Sequence, residues 1–303
     1  MTEEIHATFQ IESIHSSRNS IRHILNGYAP RNEEESRIYG MKRGLDFIAD
    51  RQNTITEENL HQLYQISTGD YLPDEDRLLP DRFYRHDVVY VVGGEASREG
   101  LPAQQLPEAM KRLVDFANAK DGINELHKAA ILHFAFAYYH PYFDGNGRTA
   151  RLLHLWYLVQ QGYPAALFTP FSRYIAESKA AYYKAYDRVE KNALISGYTD
   201  VTPFLSYFCN EVYNRLQVDV TPPQADLQIY QAALSEGKIT EKERLLWEYV
   251  LSAYGAEEFT TKQLEKDFRN AAYATIRTFV MKFHEMGLLM ARKAGNRIFY
   301  KVN

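Results

Sequence analysis

Apolar residues recur every three to four positions through most of the first 218 residues, the period of a helix with one buried face. Ile38, Met41, Leu45 and Ile48 predict a helix over 33–50, and Leu60, Leu63 and Ile66 one over 56–67. A third starts after Pro102 and runs over 104–119 on Leu106, Met110, Leu113 and Phe116. Residues 123–139 and 148–161 are apolar nearly all round, which predicts two helices buried on every side. Two more are expected over 174–191 and 202–217. Between Arg82 and Gly94 the pattern changes: Phe83, Tyr84 and Val88 to Val92 favour strand and are punctuated by Gly93-Gly94. This predicts a short hairpin projecting from a helical body.

A boundary falls at Asp219-Val220-Thr221-Pro222-Pro223-Gln224, because a Pro-Pro pair cannot continue a helix. Domains are therefore expected over 1–218 and 225–303, with 219–224 as linker. Beyond it, helices over 226–235, 240–254, 260–267 and 271–286 precede strands Leu288–Arg292 and Arg297–Val302, joined by a turn at Ala294-Gly295-Asn296. That order predicts a winged helix-turn-helix. The fold class expected is mainly α: a helical bundle with a small hairpin, then the winged helix.

Across 303 residues, 45% apolar and 24% charged positions exclude a disordered or fibrous chain. The net charge is −4, so the chain is not basic overall. A single cysteine, Cys209, rules out an internal disulfide or a thiolate metal cluster and suits a reducing cytoplasm. No run approaches the ~18 uninterrupted apolar residues of a membrane span. The opening Met1-Thr2-Glu3-Glu4 is acidic where a signal peptide is basic, so a soluble cytoplasmic protein without membrane contact is expected.

The chemistry is concentrated in His140-Pro141-Tyr142-Phe143-Asp144-Gly145-Asn146-Gly147-Arg148-Thr149-Ala150-Arg151, a polar loop between the two greasiest helices. Gly145 and Gly147 permit backbone angles that expose amides at a helix N-terminus, an anion site. Arg148 and Arg151 lie one turn apart, in reach of an extended polyphosphate. Asp144 supplies one hard carboxylate suited to Mg²⁺, and His140 a proton acceptor near physiological pH. These are parts for phosphoryl-type transfer to a hydroxyl. Residue by residue, ordinary turn chemistry with a histidine helix cap describes the loop as well; the whole set at this spacing favours the site.

The run resembles the Fic-domain signature, His-Pro-Phe-x-Asp/Glu-Gly-Asn-Gly-Arg-x-x-Arg, departing from it only at Tyr142. The resemblance implies AMP transfer from ATP to a protein Ser, Thr or Tyr hydroxyl, with pyrophosphate leaving. His140 is then the base, and Asp144 holds Mg²⁺. The amides around Gly145, Asn146 and Gly147 hold the α- and β-phosphates, with Arg148 on the β- and Arg151 on the γ-phosphate. The 82–94 hairpin corresponds to the family's flap, on which an unidentified target protein docks by strand addition. Val91, Val92, Gly93 and Gly94 are its nucleotide-facing stretch, and Tyr182 falls in the segment that walls the adenine.

A second family pattern, Ser/Thr-x-x-x-Glu-Gly/Asn, is matched by Thr8 to Glu12, with Ser13 in the last place. It implies an inhibitory helix whose Glu12 pairs bidentately with Arg151 and displaces the γ-phosphate. Relatives carrying this glutamate sometimes remove AMP again, so self-modification and de-AMPylation both stay open. Open too are transfer of another phosphate-containing group and self-association. The rival reading is a DNA-binding regulator with a nucleotide-sensing core: from Thr260 to Asn303 nine Lys or Arg stand against three acids. Docking of a protein on the same module is the alternative. The remaining histidines show no metal-ligand spacing, and His133 and His154 on apolar helices are expected in the core.

Overall fold

Two of the long helices start where a short polar side chain takes up a free amide. Asn32 accepts from Glu35 N at 2.9 Å to open α3 (Glu33–Ala49), and Thr56 accepts from Asn59 N at 3.1 Å to open α4 (Glu57–Ser67). In the computed structural model, residues 1–91, 98–219, 224–255, 257–295 and 297–303 are described. They divide into two units, Met1–Leu216 and Gln217–Asn303. No helix among them is long and apolar enough to cross a membrane.

The first unit is built around α6 (Glu125–Tyr139) and α7 (Asn146–Gln160), packed on each other. Leu152, Leu153, Leu155, Trp156 and Leu158 of α7 are all buried, each stabilising by roughly 1.5–3 kcal/mol. α3, α4 and α5 (Leu106–Asn118) cover this pair, as do α8 (Phe171–Glu177), α9 (Lys179–Ser196) and α10 (Thr202–Tyr207). The expected helix over 174–191 is broken at Ser178, whose side chain bonds Tyr174 O at 2.6 Å and Tyr207 Oη at 2.7 Å. After α10 the chain widens into a π-helical stretch, Phe208–Tyr213, before α11 (Asn214–Asp219).

Periodicity did not reveal two helices at the N-terminus, α1 (Thr2–Ile11) and α2 (Arg18–Leu25). α1 buries Ile5, Phe9 and Ile11 together with Glu4 and Thr8, so polar residues interrupt its apolar stripe. The hairpin also differs from expectation. Its strands are only β1 (Tyr90–Val91) and β2 (Arg98–Glu99), with Tyr90 opposite Glu99 and Val91 opposite Arg98. The returning strand thus lies beyond Gly94. Phe83 and Tyr84 are held by tertiary contacts instead, Phe83 stacked on His61 and Tyr84 Oη bonded to Glu57 at 2.6 Å.

In the second unit, α12 (Gln224–Ser235), α13 (Glu241–Ala253), α14 (Thr261–Phe268) and α15 (Tyr273–Glu285) precede a hairpin of β3 (Leu289–Ala294) and β4 (Arg297–Val302). Thr240 and Glu243 close a reciprocal capping box at α13. Phe259 and Tyr300 exchange backbone hydrogen bonds at 2.8 Å, tying the segment before α14 to β4. Leu246, Phe259, Ile276, Phe279 and Phe283 form its core.

Candidate active site

α6 ends because His140 precedes a proline and cannot stay in the right-handed helical region. It adopts φ 55°, ψ 60°, and its Nδ1 lies 3.3 Å from Ala137 O, donating to that carbonyl. The other ring nitrogen is thereby left as the basic one. His140 lines an open cavity of about 800 Å³. Burial pushes its pKa down to about 4; Ala137 and Asp144 oppose the shift, Arg98 and Arg85 add to it. The imidazole is neutral, the state a proton acceptor requires.

The loop after it is closed by Asn146, whose Oδ1 accepts from Tyr142 N at 2.9 Å while its Nδ2 donates to Tyr142 O at 2.8 Å. The Asn146 side chain therefore shapes the loop. Tyr142 is fully buried and stacked on Tyr64, ring centroids 3.6 Å apart, so the tyrosine fills the aromatic position of the signature. Gly145 takes φ 79° and is the N-cap of α7 without contributing a side-chain cap. The first amides of α7 are thus left to whatever enters the cavity, which Gly145, Asn146 and Gly147 line. A Cβ on Gly147 would stand 2.5 Å from Glu12 Oε1 and 3.2 Å from Arg151 Nη1, so a side chain there would have to displace the Glu12 carboxylate from this position. Asp144 has about half of its side chain exposed, and accepts from Gly145 N at 2.6 Å and Arg148 Nη2 at 3.0 Å.

The two motif arginines are nearly buried and already engaged. Arg151 Nε donates to Thr8 Oγ1 at 2.5 Å, its Nη2 to Thr8 O at 3.3 Å and also to Glu12 Oε1. Arg148 Nε donates to Glu12 Oε2 at 2.8 Å. The expected bidentate Glu12–Arg151 pair is therefore a bridge, one carboxylate oxygen to each guanidinium. α1 and α7 meet so that Glu12 lies between both arginines, a placement that spacing within either segment does not encode. Arg151 lines the cavity; Arg148 does not. Ser13 adopts φ 58°, the left-handed region that glycine and asparagine enter most easily, which accounts for the family preference at that place.

Tyr182 lines the cavity but is only 4% exposed. Its hydroxyl bonds His133 Nε2 at 2.9 Å and Tyr186 Oη at 3.3 Å, contacts of a core residue. Val91 lines the cavity, whereas Val92, Gly93 and Gly94 lie outside the described residues. Tyr183, in the same run as Tyr182, lines the cavity from α9 together with Lys179, Asp187 and Glu190, three residues that sequence reading missed. The three- to four-residue spacing of all four was a legible helical stripe. Among the described residues no group of three or more His, Cys, Asp and Glu is arranged to hold a metal.

Residues 54–158 match the model of the Fic/DOC family. The protein adenylyltransferase fic-1 of Caenorhabditis elegans is 31% identical over 181 residues, 57% of this chain and 31% of the relative. The protein adenylyltransferase Fic of Drosophila willistoni is 29% identical over 140 residues, 45% of this chain and 26% of the relative. The chain thus spans between a quarter and a third of the length of these relatives. Among solved structures, a Fic family protein from Desulfovibrio desulfuricans G20 superposes with a TM-score of 0.60 at 17% identity, covering 100% of this chain and 86% of the other. Fic-1 (residues 134–508) from C. elegans gives 0.55 at 23% identity, with 71% and 61% covered. Residues 54–158 are thus similar in sequence to the Fic/DOC family, and the fold is similar to that of solved Fic proteins.

Proposed function

We propose that the first unit is an autoinhibited protein adenylyltransferase that moves AMP from ATP to a Ser, Thr or Tyr hydroxyl of a protein. The observation that carries this reading is the cavity itself: a neutral His140 faces it beside the open N-terminus of α7, with Asp144 between them. In the proposed step the hydroxyl oxygen attacks the α-phosphorus and its proton passes to the free nitrogen of His140. The bond from that phosphorus to the oxygen bridging the β-phosphate breaks, and pyrophosphate leaves. The amides at the start of α7 hold the phosphates, and Arg151 takes the γ-phosphate once Glu12 lets go. The names of the curated relatives agree with this chemistry.

Asp144 suits Mg²⁺ because it is a single, half-exposed carboxylate on the cavity. Mg²⁺ commonly binds through one carboxylate plus substrate phosphates and water, and it would supply charge neutralisation there. For the second unit we propose a winged helix-turn-helix. Its exposed Lys262, Lys266, Arg277, Lys293 and Arg297 suit a phosphate backbone, so salt-dependent binding of random duplex DNA tests a DNA-binding role.

The deciding experiment incubates the full chain with labelled ATP and Mg²⁺ in a lysate, then reads the intact mass of labelled proteins. An added AMP that disappears with His140→Ala supports the reading. A different added mass points to another transferred group, and no label in either wild type or Glu12→Gly sinks it.

A further inference from the structure

The last turn of α6 has its carbonyls taken up by the two feet of the flap. Helix C-termini leave such carbonyls without partners inside the helix. Here Arg98 Nη2 donates to Tyr138 O at 2.9 Å and to Ala137 O at 3.4 Å. Leu101 N donates to Tyr139 O at 3.2 Å, Arg85 Nε to His140 O at 2.8 Å, and Arg85 N to Pro141 O at 2.9 Å. Arg85 precedes β1, is 2% exposed, and also donates from its guanidinium to Asp87 O and Leu101 O. Gly100 lets these groups close up, since a Cβ there would meet Arg85 Nη2 at 2.7 Å and His140 Cβ at 3.3 Å.

Arg98 does more than fill a helix end. It sits on β2 opposite Val91 of β1, pairs through Nε with Glu190 of α9 at 2.8 Å, and lies over the Tyr138 ring at 4.3 Å. Its acceptor Ala137 O is the same carbonyl that receives His140 Nδ1. One side chain therefore joins the flap strand, the cavity wall and the atom that selects the imidazole tautomer.

We propose that Arg98 is a positioning residue: it holds the flap strand and the His140 ring in one frame, so that a target seated on the flap presents its hydroxyl to the basic nitrogen. This rests on the adenylyltransferase reading above. It differs from a simple anchoring role because it predicts a change at the imidazole itself.

The test uses the full chain with ¹⁵N-labelled histidine, comparing wild type, Arg98→Ala, Arg98→Lys and Glu190→Gln. In wild type at neutral pH the His140 signals should show the tautomer protonated on Nδ1. Arg98→Ala should give a mixture of tautomers, and Arg98→Lys should restore only part of the wild-type signature, because a single ammonium nitrogen cannot occupy the separate positions from which Nε meets Glu190 and Nη2 meets the carbonyls. In a Glu12→Gly background, Arg98→Ala should lower kcat by about 10- to 100-fold, the scale of a misplaced reacting group, with KM for ATP within about twofold. The nitrogen signature does not depend on catalysis, so a chain that never transfers AMP still reports on the proposed frame. Unchanged His140 signals in Arg98→Ala overturn the assignment. Should that variant not fold, unchanged signals in both Arg98→Lys and Glu190→Gln overturn it equally.

Discussion

Glu12 and Arg148 stand 136 positions apart in the chain and are joined by a 2.8 Å hydrogen bond, while the second oxygen of the same carboxylate serves Arg151. One side chain thus neutralises both cations that the signature offers to a triphosphate. Removing it should release both. We expect Glu12→Gly to tighten ATP binding about tenfold or more, the equivalent of roughly 1.4 kcal/mol, and to raise AMP incorporation. Titration calorimetry with ATP checks the first and labelled-ATP incorporation the second. Because Arg148 also holds Glu12, Arg151→Ala alone should leave the glutamate in place.

Glu12 is only as well placed as the helix that carries it. Glu4, on the same α1, is buried and accepts from Ser172 N at 2.9 Å and from Ser172 Oγ, at the start of α8. Burial pushes the Glu4 pKa up, and the Ser172 hydrogen bonds oppose it. Ser172→Ala should cost about 1–3 kcal/mol, read as a lower melting temperature of the full chain. It should also loosen α1 and raise AMP incorporation, but add nothing in a Glu12→Gly background. A further rise in that double variant would show that the contact acts on something other than Glu12.

Ser13 offers a change in the opposite direction. At φ 58° a residue with a Cβ bears roughly 1 kcal/mol of strain that glycine avoids, partly offset by the greater freedom of glycine when unfolded. Its hydroxyl contributes only a 3.5 Å contact with Lys179 Nζ. Ser13→Gly is expected to raise the melting temperature slightly and to deepen inhibition. A drop in AMP incorporation relative to wild type checks the second outcome.

The buried helices and the loop between them were legible because each is written locally: apolar residues on every side, then a proline, glycines and arginines in sequence. What escaped depends on chain segments meeting. The Glu12 bridge needs α1 laid against α7, and at the Ser178 break the hydroxyl meets Tyr207, 29 positions away, as well as Tyr174 O. The first strand of the flap falls inside the predicted span, but its partner lies beyond it and carries Arg98, which reaches the end of α6 and Glu190. Tyr182 was assigned from resemblance to the adenine wall; its hydroxyl contacts with His133 and Tyr186 are those of the core, a distinction composition cannot make.

The histidines set how this protein responds to acid. His140 is pushed down to about 4 mainly by burial, with Arg98 and Arg85 adding to the shift and Ala137 and Asp144 opposing it. His154 is pushed down to about 3 by burial, and His133 well below its usual value by burial and by the neighbouring His154 and Arg151. Each binds a proton more readily in the unfolded chain, near pH 6.5, than in the fold. Stability is therefore complete above about pH 6.5 and falls as pH drops from there toward about 4. Thermal melts from pH 7.5 to 4 should show this decline, and His154→Gln should flatten it while forfeiting some stability from the lost 2.9 Å contact with Tyr213 Oη. The catalytic consequence separates cleanly from the structural one. With His140 already neutral at pH 6, AMP transfer in the Glu12→Gly variant should stay flat from pH 7.5 to about 5.5, measured within the range where the melts show the fold intact. A loss of half the activity near pH 6.5 would mean that the imidazole titrates as a solvated histidine, in conflict with its burial beside the two arginines.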